Sequence, residues 1–376
     1  MSAPIMNVRW VLARRPGDQA SLEDFRREEV LVGELGDGEI LVRNVYISLD
    51  PYHRQLMDDH ADRFGVAGEL LSTVIEPVAL GETMHGAGVG VVEASQDARF
   101  SVGDVVEGYL GYQTYCVALG TGDGSPALAP LSTEATAAGG RTVVQKFDPT
   151  VAPIYTRLNA LGEQGLTAHV GLLEVGRPRP GETVFVSSAA GSCGQVAGQV
   201  ARIMGCRVVG SAGSEEKLRF CVDELGFDAA LNYKDPDFEA QLDAACPDGI
   251  DVYLDLVGGA QSDIVFSRLN MYGRHAVVGT IADWWADSAK PEHRGPRVYW
   301  SVNLKRIRME GFVLWDYDHL YEPYMRQLQR WWQQGKLRSR EHIVEGIDAA
   351  PQGLLDLFEG KNFGKALCRV SEDPYR

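Results

Sequence analysis

The residues whose types and spacing could do chemistry begin with Ala189-Ala190-Gly191-Ser192-Cys193-Gly194. A short apolar run, Thr183-Val184-Phe185-Val186-Ser187, precedes them, and a helix-like segment over residues 194–204 follows. Gly191 and Gly194 lack a Cβ, so the backbone there can approach a ligand. A helix N-terminus adds N–H groups and the positive end of a dipole. Strand, glycine turn and helix in that order predict a pyrophosphate site for a dinucleotide, bound by Ala190, Gly191, Ser192, Cys193 and Gly194. Ala189 stands where the usual fingerprint has its first glycine.

The choice of dinucleotide is read at the end of the next strand, Cys206-Arg207-Val208-Val209-Gly210. An NAD site usually places Asp or Glu there, to hold the ribose 2′-hydroxyl. Here Ser211-Ala212-Gly213-Ser214-Glu215-Glu216-Lys217 follows, with no acid ending the strand. Gly213, Ser214 and Lys217 at a helix start suit a 2′-phosphate, so NADPH is expected over NADH. Glu215 and Glu216 argue the other way, although acids in a first helical turn are ordinary dipole partners.

These loops need a scaffold, and the chain has the pattern of one. Further strand-like runs lie at 229–233, 252–257 and 274–279, with a helical segment at 215–225. Strands alternating with helices predict a doubly wound parallel α/β sheet, a Rossmann domain assigned to residues 151–324. Residues 1–150 read differently. Strand patterns at 39–48, 86–93 and 100–108, separated by turns, predict a compact β domain. Residues 121–141 are rich in Gly, Ala, Ser, Thr and Pro, and read as a loop insertion, either disordered or a lid.

Composition narrows the function classes. The formal net charge of -16 disfavours nucleic acid and acidic membrane surfaces as partners, though not a small phosphate ligand. No apolar run reaches the ~18 residues of a membrane span. The start of the chain lacks the basic and apolar segments of a signal peptide, so a cytoplasmic home is expected. The six cysteines are scattered without a C-x-x-C pair, which predicts reduced thiols and no metal framework.

Several motifs in one order resemble the medium-chain dehydrogenase/reductase superfamily, in its zinc-independent alkenal/one double-bond reductase branch. That branch includes prostaglandin, plant double-bond and curcumin reductases. The motifs are the run from Val42 through Asp50-Pro51-Tyr52, Gly165-Leu166-Thr167-Ala168, the 189–194 loop, Ala212-Gly213-Ser214 with Lys217, Asn232-Tyr233-Lys234, Val257-Gly258-Gly259, and Gly360-Lys361-Asn362-Phe363-Gly364-Lys365. The resemblance implies a GroES-like β-barrel domain, a Rossmann domain, and a return to the first domain over residues 325–376. It implies NADPH and no zinc. It places Lys217 and Tyr233 at the adenosine end, Asn362 near the nicotinamide half, and Gly279, Thr280, Ile281, Phe312, Val313 and Leu314 beside the nicotinamide. It also implies a homodimer, for which residues 308–315 would offer an edge strand.

The activity it implies is reduction of the C=C bond of an α,β-unsaturated ketone or aldehyde. Hydride reaches the β carbon, charge grows on the carbonyl oxygen, and a donor must meet that oxygen. Tyr52 is the expected donor, because a phenol with a reference pKa of ~10 keeps its proton. Three positions depart from the family pattern. Trp284 stands in a segment that usually carries a tyrosine, Glu163 and His169 replace residues around Gly-Leu-Thr-Ala, and Leu256 replaces an Asn. Glu163 is either a helix-start carboxylate or a proton relay. Trp284 and Trp285 are either packing or a flat wall for a bulky, aromatic enone. Quinone or tailoring reduction on the same fold, and a non-catalytic NADPH-binding protein, remain as alternatives.

Overall fold

The computed structural model describes residues 4–17, 19–60, 72, 75–121, 142–284 and 298–376. The expected loop at 121–141 lies, apart from Thr121, outside the described residues, as does Trp285. The chain forms two compact units, Met1–Leu158 with Glu341–Arg376, and Asn159–Arg340.

In the first unit, β1 (Met6–Leu12) and β2 (Phe25–Leu31) form an antiparallel hairpin. β3 (Glu39–Ser48), β4 (Gly88–Ser95), β5 (Val105–Gly108), β6 (Tyr115–Gly120) and β7 (Thr142–Lys146) build a larger sheet in the order β3-β4-β5-β7-β6. β6 also pairs back onto β3, so these five strands close on themselves as a barrel. Ile40, Val42, Val92, Phe100, Val106, Cys116, Ala118 and Val144 fill its core.

The second unit holds β8 (Thr183–Val186), β9 (Arg207–Ala212), β10 (Ala229–Asn232), β11 (Ile250–Asp255), β12 (Leu269–Val277) and β13 (Arg308–Gly311). They lie in the order β10-β9-β8-β11-β12-β13, and every pair is parallel. β8 and β11 are buried along nearly their whole length, as expected of strands covered on both faces. From β8 the chain builds outward through β9 and β10, then returns to add β11 to β13 on the other side. The strand order therefore reverses between β8 and β11, where ligands of such sheets bind at the carboxyl ends of the strands. The chain then re-enters the first unit with β14 (Glu341–Glu345) and β15 (Lys365–Arg369), which extend the first sheet from β3.

Both unit boundaries fall later than the expected 150 and 324. Ile154 and Leu158 are buried in the first unit's core, which carries that unit past residue 150. The helix Tyr321–Gln333 stays with the second unit. Its Tyr324 and Trp331 rings pack on His169, with centroids 4.1 and 5.6 Å away.

Candidate functional site

The strand, glycine turn and helix form where the sequence places them, with the turn at the carboxyl end of β8. The helix after it runs Ser192–Ile203, and its N-cap Gly191 gives no side-chain cap. The first turn of a helix is where N–H groups lack an acceptor within the helix, and anions commonly bind at such an end. A Cβ on Gly194 would stand 2.2 Å from the carbonyl oxygen of Ser188, so only glycine lets the helix start this close to the turn. The alanine at 189 also has a reason. Its methyl is buried, and a Cβ on Gly210 of β9 would lie 2.5 Å from it, so the missing glycine is supplied by the neighbouring strand.

The end of β9 carries the second set. Ser214 is the N-cap of the helix Glu215–Arg219, its hydroxyl accepting from the Lys217 N–H at 3.4 Å. That hydroxyl keeps its own proton to donate. A Cβ on Gly213 would come within 3.2 Å of the Tyr233 ring and of the Lys234 side chain, so two chain segments meet there. Lys234 lies over the Tyr233 ring, 5.7 Å from its centroid. Burial, and then the charge of Lys234, push the pKa of Lys217 below the ordinary lysine range. Two cations held close enough to repel are a fit for a doubly charged phosphate. Sequence reasoning quoted Lys234 only within the Asn232-Tyr233-Lys234 motif and did not single it out. Of the two acids that argued against a 2′-phosphate, Glu216 stands 3.7 Å from Arg340.

A second missed residue is Asp255, the last of β11. It is buried, and its Oδ1 accepts from the Ser187 hydroxyl at 3.2 Å and from the N–H groups of Val257 and Gly258 at 3.0 and 2.9 Å. Its Oδ2 accepts from the Ser262 hydroxyl at 2.6 Å and lies 3.2 Å from His275 Nε2. Its backbone oxygen accepts from Val278 and Gly279. One residue thus ties the end of β8, the glycine turn after β11 and the segment after β12. Burial alone would raise its pKa, but His275 and the surrounding donors bring it down to about 2. The depressed folded value means that the stabilisation is present above the ordinary ~4 and lost as pH falls toward 2. Asp255→Asn should therefore cost about 2 kcal/mol at pH 7, at 1.36 kcal/mol per unit. Thermal unfolding and NADPH calorimetry check this. Unchanged melting and unchanged affinity would refute the tie.

The remaining expected residues of this unit are placed one by one. Gly279 donates to Asp255, and Thr280, Ile281 and Trp284 lie in the turn after it, where Asp283 N–H donates to Thr280. Leu256 N–H donates to the Ser187 hydroxyl at 2.8 Å, so the residue's backbone is fixed whatever its side chain. Phe312 packs on Gly171, where a Cβ would lie 3.1 Å from its ring. Val313 is the N-cap of the short helix Leu314–Leu320. Glu163 opens the helix Glu163–Val170, in the first turn where a carboxylate suits the dipole.

In the first unit, Tyr52 directly precedes the helix His53–Leu56 and is half-buried against the core of Leu49, Leu56 and Met57. The turn before it is anchored by Asp50. The Asp50 carboxylate pairs with the Lys365 ammonium of β15 and accepts from the Ser48 hydroxyl, and all three side chains are buried. The backbone is tied as well, with Leu49 N–H donating to Ala366 and His53 N–H to Asp50, each at 3.1 Å. Asn362 lies in the turn before β15 and donates to the Gly364 oxygen at 2.8 Å.

The sequence matches the profile of the family described as "N-terminal domain of oxidoreductase" over residues 8–124, and that of "Zinc-binding dehydrogenase" over residues 193–330. Among the described residues, no group of three or more His, Cys, Asp or Glu could hold a metal ion, so a zinc site has no donor set there. The NADPH-dependent curcumin reductase of Escherichia coli is 38% identical over 98% of this chain and 98% of its own. The NADP-dependent 2-alkenal reductase of Nicotiana tabacum is 36% identical over 90% of this chain and 89% of its own. The crystal structure of CurA in complex with NADPH from Vibrio vulnificus superposes with a TM-score of 0.82 at 36% identity, covering 97% of this chain and 100% of that one. With a closed β barrel, a doubly wound sheet and end-to-end likeness to these proteins, the chain belongs to the medium-chain dehydrogenase/reductase superfamily, in its double-bond reductase branch.

Proposed function

We propose that the protein is an NADPH-dependent reductase of the C=C bond of α,β-unsaturated ketones or aldehydes. The observation that carries this reading is the likeness, over almost the whole chain, to reductases named for that cofactor and for alkenal and curcumin substrates. The geometry supports the cofactor. The first-turn amides after Gly191 suit the pyrophosphate, and Ser214, Lys217 and Lys234 suit the 2′-phosphate, with Tyr233 against the adenosine end.

When bound, NADPH supplies the hydride. The chain's own groups do the rest. Gly279, Thr280, Ile281, Phe312, Val313 and Leu314 orient the nicotinamide half, and Asn362 contributes from the turn before β15. Tyr52 donates to the carbonyl oxygen, where charge grows as the β carbon accepts hydride. Glu163 relays a proton, and Trp284 gives the acceptor a flat face and an indole N–H. The acceptor is a bulky or aromatic enone. The protein acts in the cytoplasm as a homodimer. The exposed edge of β13, with Met309 47% exposed, supports that assembly.

The test is NADPH oxidation with aromatic enones, short alkenals, a quinone and no acceptor. Aromatic enones should react fastest, and deuteride from labelled NADPH should appear on the β carbon by NMR. Deuterium on the carbonyl carbon, or turnover with the quinone alone, would overturn the reaction class. A preference for short alkenals would overturn only the substrate size. Tyr52→Phe should lower kcat about 10²-fold, the usual effect of losing one oxyanion donor. An unchanged kcat would remove Tyr52 from the mechanism.

A further inference from the structure

His53 follows Tyr52 and is wholly buried, and its ring meets the Tyr52 ring edge-on with centroids 4.6 Å apart. Two groups converge on its Nδ1. The Asp50 backbone N–H donates to it at 3.3 Å, and the Tyr112 hydroxyl lies 2.9 Å away. A backbone N–H can only donate, so Nδ1 is the accepting nitrogen and Tyr112 donates to it too. The ring is neutral at physiological pH. Burial holds its pKa down to about 4, with Lys365 and His85 adding to the effect and Asp50 opposing it. A neutral imidazole that accepts at Nδ1 carries its proton on Nε2. That Nε2–H has no hydrogen-bond partner among the described residues. A buried donor without an acceptor is destabilising, because its lost hydration is not replaced. The ring is held at its other nitrogen, so it cannot turn to relieve this. The deficit is removed if an acceptor oxygen arrives with a ligand.

We propose that the Nε2–H of His53 is a second hydrogen-bond donor to the carbonyl oxygen of the substrate, beside the Tyr52 hydroxyl. The proposal rests on the enone-reductase reading. The imidazole neither gains nor loses a proton in this role. Hydride adds to the β carbon, the C=C electron pair moves to form the enolate, and water supplies the proton that ends on the α carbon. His53 only stabilises the charge on oxygen in between.

The test uses the whole protein with NADPH and an aromatic enone. His53→Leu should lower kcat/KM about 10²-fold, with the Kd for NADPH unchanged. His53→Gln places an amide N–H near the Nε2 position and should recover at least about a tenfold share of that loss. The wild-type protein, labelled with ¹⁵N-histidine, gives a readout independent of variant folding. His53 should show the neutral Nε2–H tautomer at pH 7, and its Nε2 proton should shift when a saturated ketone is added with NADP⁺. An unmoved resonance, full activity in His53→Leu, or a Gln variant as impaired as the Leu variant at equal melting temperature would each overturn the proposal. Tyr52→Phe, measured alongside, separates the two donors. If it is fully active while His53→Leu is not, Tyr52 loses its role and His53 keeps its own. If the wild-type protein neither reduces enones nor binds the ketone, the reductase reading fails and His53 with it.

Discussion

Replacing Lys217 by Glu should raise the KM for NADPH by about 10²–10³-fold and leave that for NADH within about threefold. The size follows from two terms. A hydrogen bond between an ammonium and a phosphate contributes about 1.5–3 kcal/mol, and it is lost. A carboxylate in its place then repels the phosphate, by an energy of the same order near a protein surface. Together they reach about 3–4 kcal/mol, and each 1.4 kcal/mol is tenfold in affinity. NADH has no 2′-phosphate and feels neither. Lys234→Ala should act in the same direction but more weakly, about tenfold, because Lys234 is exposed and its charge is screened by water. The two substitutions should not add, since both act on one phosphate and on each other. Steady-state kinetics with both cofactors decide the matter. Equal effects of Lys217→Glu on NADPH and NADH would end the 2′-phosphate assignment.

How much of this was legible in the sequence depends on how far each requirement reaches along the chain. The strand-turn-helix around Gly191 was legible because its demand is local: a strand, two glycines and a helix start within a dozen residues. The parallel sheet was legible from its repeating pattern, though β12 runs Leu269–Val277 and starts earlier than the 274–279 expected. Gly210 was not, because its lack of a side chain matters to Ala189, in the turn after the neighbouring strand, and to the Phe227 ring. Asp255 looked like an ordinary strand end, and only its contacts with Ser187, Ser262 and His275 reveal a hub. The boundary near 324 was misplaced for a similar reason. The helix Tyr321–Gln333 has an apolar face that any neighbour could cover, and His169 decides which one does. Lys365 was quoted within a motif, but its partner Asp50 lies 315 positions away, beyond the reach of any pattern of spacing.

That partnership gives the second large effect. Lys365→Met should destabilise the first unit by about 3–5 kcal/mol at pH 8, the range for removing one side of a buried ion pair. At about 2–4 °C per kcal/mol for a domain of this size, melting should fall by roughly 6–20 °C. In the intact protein, burial works to raise the pKa of Asp50. Lys365, His53 and the Ser48 hydroxyl outweigh burial, and the net shift is downward. A depressed carboxylate contributes stability that is present above its ordinary value and lost as pH falls through the folded one. Without Lys365, burial dominates and the Asp50 pKa moves above the ordinary value, so the folded variant gains stability by taking up a proton as pH falls. His53 changes in the same sense. Lys365 helps to keep it neutral in the wild type, and next to an orphaned carboxylate it becomes the nearest cation. Both routes bind protons to the folded variant, so its deficit relative to wild type should shrink between pH 8 and pH 5.5. Asp50→Leu combined with Lys365→Met removes both charges and should recover more than half of the loss, because an apolar pair avoids the cost of desolvating an ion. Thermal unfolding at the two pH values measures all three quantities. A single variant that melts like wild type at pH 8, or a deficit that grows on acidification, would show that Asp50 and Lys365 are not the coupled pair beneath Tyr52.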